Sequence, residues 1–459
     1  MKRAETDKTI TQKKIGRQLK IEFGRAELCN GNIETEFNRK ESGKMLEKIL
    51  SLENMKIALK RVKSNKGAAG VDGMTVDKLH TYLDATWSFI KAEILSGTYI
   101  PSPVRQVTIK KPDGGERQLG IPTVLDRLIQ QAISQRLSLM YDEGFSENSY
   151  GFRPGRKAHE AVERAKEYLN EGNTVVIELD LEKFFDRVNH DKLMCILSER
   201  IKDKQLLRLI GSYLRSGIMA GGVVSQRTEG TPQGSPLSPV LSNILLDKLD
   251  KELEQRGHKF ARYADDCSIY VRSLKAAERV KASITRYIER GLKLKVNETK
   301  TKISFAKNST LLGFSFYADK DGYQIRIAKK SLKRIKEKVK EITSRQKPYS
   351  LTYRLELLAP IIRGWVNYFK IAKAKSQMHK LDEWTRTRLR ICVWKLWKLP
   401  RTKIGELIKL GIEKYKAIQY GLTRLKYCRI AHSPILLGTL NNDYLIKQGY
   451  VSFMSVYQK

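Results

Sequence analysis

Two adjacent aspartates, Asp265 and Asp266, stand between two short apolar runs, and no other feature constrains the fold of this chain as much. Phe260 and Tyr263 precede them; Ile269, Tyr270 and Val271 follow. That is a strand–turn–strand pattern with the acidic pair at the turn. A turn needs only one such residue, and like charges at the tip of a buried hairpin repel, so the pair calls for a cation. The stretch from Val175 to Asp180 reads as a buried strand ending in an acid, followed by Phe184, Phe185 and Asp186. Laid beside the hairpin, it makes Asp180, Asp265 and Asp266 one hard-oxygen cluster suited to magnesium. Two such ions clamp the attacking and leaving oxygens of an in-line phosphoryl displacement.

Charge supplies the partner. Lys and Arg number 87 against 50 Asp and Glu, a net charge of +37. That surplus expects a polyanion, because each neutralised phosphate releases counterions. No apolar run approaches the length of a spanning helix, so nucleic acid is preferred over a membrane and a cytoplasmic location is expected. The five cysteines (Cys29, Cys195, Cys267, Cys392, Cys428) are scattered, without Cys-x-x-Cys spacing. They read as reduced thiols rather than a zinc site or a disulfide framework.

At 459 residues the chain accommodates two or three domains. Residues 1–44 are polar and charged without apolar period, a weakly ordered basic arm. From Met45 an amphipathic pattern (Leu46, Ile49, Leu50, Met55, Leu59) runs into the glycine-rich loop from Lys66 to Gly73. Residues 107–119 read as a hairpin turning at Asp113-Gly114-Gly115. A Pro/Gly-punctuated turn from Thr231 to Pro239 leads into a helix, with Ser238 as its expected N-cap. Leu241, Ile244, Leu245, Leu249 and Leu253 form that helix's apolar side. Asp186, Asn189 and Asp191 are assigned to turns and capping rather than to metal. After about residue 329 the chain becomes helical and very basic. Seven Lys or Arg lie between Arg386 and Lys403, with no acid, around Trp394 and Trp397.

Lys111 and Arg117 flank the hairpin turn and can project toward one anion; a triphosphate suits an Arg fork and a Lys point charge. Gln233 and Gly234, between two prolines, offer an amide to a nucleotide and close backbone approach. Taken in order, the Lys66–Gly73 loop, the Lys111–Arg117 hairpin, Ser149-Tyr150-Gly151-Phe152-Arg153-Pro154, Asp180–Asp186, Thr231–Pro239 and Tyr263–Asp266 resemble a bacterial group II intron-encoded reverse transcriptase. The tail, with Gly364–Phe369 and Arg388–Lys395, resembles the thumb, or maturase domain, of that family. No Cys/His spacing of an HNH endonuclease follows Lys403, which resembles the endonuclease-lacking subset.

The resemblance implies an α+β right-hand polymerase. Fingers are expected over 45–170, a ferredoxin-like palm over 171–328, a helical thumb over 329–403 and a basic nucleic-acid-binding segment over 404–459. It implies RNA-directed DNA synthesis with two magnesium ions on Asp180, Asp265 and Asp266. Lys111, Arg117 and Gln233 would hold the dNTP, and Phe185 would exclude a 2′-hydroxyl by lack of space. Arg363, Arg386, Arg388, Arg390, Lys395 and Lys398 would bind intron RNA. The implied partners are that RNA, an RNA template with a DNA primer, and target DNA. The rival readings are a reverse transcriptase domesticated for host defence and an RNA-binding splicing cofactor without polymerase activity.

Overall fold

The computed structural model describes residues 45–110 and 114–459; the expected N-terminal arm and Lys111 lie outside the described residues. The chain divides into two compact units. The first comprises the described residues up to Ala165 together with Asn173–Ile303, and the second Lys166–Gly172 with Ser304–Lys459.

The first unit is built on a four-stranded sheet: β1 Val175–Leu179, β2 Lys259–Tyr263, β3 Asp266–Val271 and β4 Lys302–Phe305. Their order is β2-β3-β1-β4, the split βαββαβ arrangement of a ferredoxin-like palm. β1 and β3 are antiparallel and central, and both read as apolar runs because helices cover them. The helix Ser238–Gln255 buries Leu241, Ile244, Leu245, Leu249 and Leu253, and Leu274–Gly291 buries Ala277, Val280, Ile284 and Ile288. These join one continuous apolar core running from Leu46 to Val296.

Ser238 is not the N-cap of its helix: that position falls to Leu237. The Ser238 hydroxyl instead donates to the Pro232 carbonyl (2.8 Å), bracing the preceding turn. Asn189 does cap, its Oδ1 accepting the Lys192 N–H (2.8 Å) at the start of His190–Arg200.

Around the palm stand the expected amphipathic helix, Leu52–Ser64, and the longer Val124–Asp142. They are tied by Asn54, whose Nδ2 donates to the Ala132 carbonyl (3.0 Å), and by Gln135, whose Nε2 donates to Asn54 Oδ1 (2.8 Å). The hairpin expected over 107–119 is present as Val104–Lys110 against Glu116–Ile121, with Ile109 opposite Arg117. It belongs to a second four-stranded sheet with Ile218–Ala220 and Val223–Ser225.

The second unit carries a three-stranded sheet, Gly322–Ile327, Phe314–Asp319 and Thr310–Leu311, and a helical array. The sequence reading placed these strands in the palm. They group with the helices because Phe314 packs on Tyr368 and Phe369, at ring-centroid distances of 5.5 and 4.9 Å. The long helices are Lys329–Ile342, Leu351–Phe369 and Lys375–Leu396. Arg354, 1 % exposed, donates to the carbonyls of Ile342, Lys347 and Tyr349, satisfying a helix C-terminus. Asp382 accepts from the backbone of Phe453 and Met454 and the hydroxyls of Tyr450 and Ser452, all at 2.8 Å. No helix among the described residues is long and apolar enough to cross a membrane. Cys195, Cys267, Cys392 and Cys428 are free thiols.

Candidate active site

β1 ends at Leu179, and the register sets Leu179 opposite Cys267 on β3. The next residue on each strand toward the same end is an aspartate, Asp180 and Asp266. β2 and β3 are joined by the two-residue turn Ala264–Asp265, closed by Tyr263 opposite Asp266. One side of the sheet therefore carries all three acids at a single edge. The Asp180 backbone is fixed by the segment after β3's helix: its N–H donates to Thr301 Oγ1 (3.1 Å), and its carbonyl accepts from Asn297 N–H (2.8 Å).

The turn is held from beneath. Arg262 is fully buried and uses all five guanidinium protons. Nε donates to Asp250 Oδ1 (2.7 Å) and Nη2 to Asp250 Oδ2 (2.5 Å) and Ser149 Oγ (2.7 Å). Nη1 donates to Asn243 Oδ1 (3.1 Å) and to the carbonyl of Ala264 (2.9 Å), within the turn itself. Ala264 has φ +58°, the left-handed region that a residue with a Cβ seldom adopts; this carbonyl contact helps hold it there. Gly151 lies under the same turn, where a Cβ would stand 2.2 Å from the Ala264 nitrogen. The Asn243 amide donates to the Gly151 carbonyl (2.8 Å), and Tyr150 N–H donates to the Arg262 carbonyl (2.9 Å).

Asp180, Asp265, Asp266, Phe185, Gln233 and Arg117 line one cleft of about 630 Å³. Desolvation in the cleft raises the Asp265 carboxyl, and the Asp180 charge raises it further. Asp266 is pushed up to about 6 by desolvation, then by the charges of Asp265 and Asp180. Lys300 Nζ stands 3.6 Å from Asp180 Oδ2. Mutual repulsion among oxygen donors is what a divalent cation relieves, so these residues fit magnesium in donor chemistry. Among the described residues no three acidic, histidine or cysteine side chains are gathered closely enough to hold an ion as they stand.

Phe185 sits on the short 3-10 turn Phe184–Asp186, edge-on to the buried Phe184 at 5.2 Å. Its carbonyl accepts the Thr231 N–H (2.6 Å), joining this turn to the loop that carries Gln233. The Gln233 carbonyl accepts the Gly120 N–H (2.8 Å), and its side-chain Oε1 is buried with no hydrogen-bond partner among the described residues. Arg117 is exposed on Glu116–Ile121, near enough to Asp265 to draw its carboxyl down against the larger upward effects.

The six basic residues expected to bind RNA divide into two groups in the second unit. Arg363, Lys395 and Lys398 are exposed and Arg386 is half-buried. Arg388 donates to Thr343 Oγ1 (2.6 Å) and to the carbonyls of Lys340 and Thr343. Arg390 is buried and donates to the Leu440 carbonyl (3.0 Å). A solvated basic face through Arg386, Arg388 and Arg390 is therefore not what forms: the latter two tie helices together. Arg262, Lys300 and the role of Gly151 escaped the sequence reading. A charged residue inside the apolar run before Asp265 was the one available signal.

The reverse transcriptase (RNA-dependent DNA polymerase) family matches residues 109–316, and the group II intron maturase-specific domain matches residues 332–410. Protein YkfC of Escherichia coli (strain K12) is 35% identical, over 52% of this chain and 74% of its own length. The group II intron-encoded protein LtrA of Lactococcus lactis subsp. cremoris is 36% identical, over 45% of this chain and 34% of that protein. The putative COX1/OXI3 intron 2 protein of Saccharomyces cerevisiae is 34% identical, over 50% of this chain and 27% of that protein. The chain thus spans about a third or less of the last two relatives' length. With palm, acidic edge and basic helical unit in the order these matches require, the chain belongs to the group II intron-encoded reverse transcriptase and maturase family.

Proposed function

We propose that this chain extends a DNA primer on an RNA template and, through its second unit, holds intron RNA to assist splicing and mobility. One observation carries the polymerase reading: Asp180, Asp265 and Asp266 meet at one sheet edge in a cleft that also holds Phe185, Gln233 and Arg117. Two magnesium ions, held by the three carboxylates, would supply positive charge at the attacking and leaving oxygens. The protein's own side chains position the rest. Arg117 orients the triphosphate with its fork, and Lys111 is assigned the same anion as a point charge. The unpartnered Gln233 Oε1 is an acceptor for a nucleotide donor at the cleft wall. Phe185 fills the space a ribose 2′-hydroxyl would need. Arg363, Lys395 and Lys398 are the exposed cations assigned to intron RNA phosphates, with Arg386 beside them.

Extension of a labelled primer on an RNA template with dNTPs and magnesium tests the reading, and a DNA product is expected. No product from a chain that still binds and splices intron RNA would replace it with a splicing cofactor. Phe185→Ala tests the gate: ribonucleotide incorporation should rise, and unchanged dNTP/rNTP discrimination would place the gate elsewhere.

A further inference from the structure

The cleft of the three aspartates does not end at Gln233. Asp186, Gln118 and Gln233 are shared with a neighbouring cleft, which in turn shares Gln226, Arg227 and Thr228 with a third of about 730 Å³. The three clefts adjoin one another within the first unit, and their shared walls trace a line from the acidic edge to Arg227 and Arg215. Neither arginine makes a hydrogen bond or ion pair among the described residues. Arg227 is half-buried, and its Nη1 is out of contact with solvent and without an acceptor. A charged donor left unmet in this way is unfavourable, so Nη1 is available to an anionic acceptor entering the cleft. Asp186, Asp191 and Glu229 are the acids lining these clefts beside Arg227, and Asp186 acts on Arg227 only through space. Both arginines line one cleft with His190 and act on it: burial lowers the His190 pKa, and the charges of Arg227 and Arg215 lower it further. The same cleft also has an apolar wall, with Pro101, Val224 and an Ile100 that is 86 % exposed.

We propose that Arg227 and Arg215 form a phosphate subsite for a nucleic-acid strand running along these clefts, with sugar or base against Ile100, Pro101 and Val224. A free inorganic anion would use the two forks but not the apolar wall; a polynucleotide uses both. The inference rests on the polymerase reading above, and the test separates the two.

Binding of primer–template pairs is measured in EDTA, without turnover, across a salt series. One pair has a long single-stranded template extension and the other is blunt. Arg227→Gln and Arg215→Gln should each lower the salt slope by about 0.7 if the phosphate is single-stranded and about 0.9 if it is duplex. Loss confined to the extended pair assigns the phosphate to the template extension; equal loss assigns it to the duplex. Arg227→Lys should restore the slope, which a merely structural arginine would not allow. Arg215 is exposed, so its variant stays informative even if the half-buried Arg227→Gln variant fails to fold. Unchanged slopes in Arg215→Gln and in a folded Arg227 variant would overturn the subsite. So would a raised KM for dNTP with unchanged template affinity, which would make the clefts a triphosphate channel. If the parent chain binds no primer–template at all, the polymerase reading falls first.

Discussion

Arg262→Lys tests how the catalytic turn is held. The native guanidinium meets five acceptors: both Asp250 oxygens, Ser149 Oγ, Asn243 Oδ1 and the Ala264 carbonyl. An ammonium has three protons, so at least two of those acceptors lose their donor. Each buried acceptor left unmet costs about 1–3 kcal/mol, so a loss of roughly 2–6 kcal/mol is expected. The charge opposite Asp250 is kept, which avoids the larger penalty, about 3–5 kcal/mol, of an unpaired buried ion. The Ala264 carbonyl is the consequential loss, because it belongs to the turn presenting Asp265. A displacement there of about 1 Å lowers kcat by about 100-fold while leaving dNTP binding less affected. Scanning calorimetry reads the stability. Single-nucleotide extension below the variant's melting temperature reads kcat and KM separately. A variant with parental melting temperature and parental kcat would show that the Arg262 network neither holds the turn nor matters to it.

Other consequences follow from the same geometry. Gly151→Ala puts a methyl 2.2 Å from the Ala264 nitrogen, so primer extension should fall at least about tenfold while RNA binding persists; parental extension rates would refute the close approach. Asp266 has its carboxyl raised from 3.8 to about 6, so the folded chain holds that proton more tightly than the unfolded one. In EDTA the Asp266 contribution to stability should accordingly be fully present at low pH and decline as pH rises through that window. Asp266→Asn should flatten the decline, and parallel melting curves for parent and variant would contradict the sign. Replacing Arg363, Lys395 and Lys398 by Gln should lower intron RNA affinity and its salt slope without changing melting temperature. Arg390→Leu should instead lower melting temperature, because it strips the donor from the Leu440 carbonyl; equal stability in both would undo the division between surface and interior arginines.

The acidic edge was legible because strand alternation is local: the apolar runs before Asp180 and around Asp265–Asp266 needed no knowledge of the partner strands, and the register then brought the acids together. The helix bearing Leu241 to Leu253 was legible for the same reason. What was not legible depended on distant partners. Ser238 looks like an N-cap in isolation, but the Pro232 carbonyl folds back within 2.8 Å of its hydroxyl. Arg388 and Arg390 share the charge of their exposed neighbours, and only the carbonyls of Thr343 and Leu440 show that they tie helices together, the first half-buried and the second buried. Arg262 meets Asp250 from a helix twelve residues earlier and Ser149 from a loop far upstream, a convergence that no periodicity reports. The strands from Thr310 to Ile327 carry palm-like alternation, yet aromatic packing on Tyr368 and Phe369 sets their place.

The most direct test of the whole reading is Asp265→Asn, assayed side by side for RNA-templated primer extension in magnesium and for intron RNA binding. The substitution removes one carboxylate from the acidic edge and none of the basic surface. DNA synthesis should vanish while RNA affinity and its salt dependence stay at the parental level. Extension above background by a folded variant would contradict the assignment of Asp180, Asp265 and Asp266 as the catalytic carboxylates.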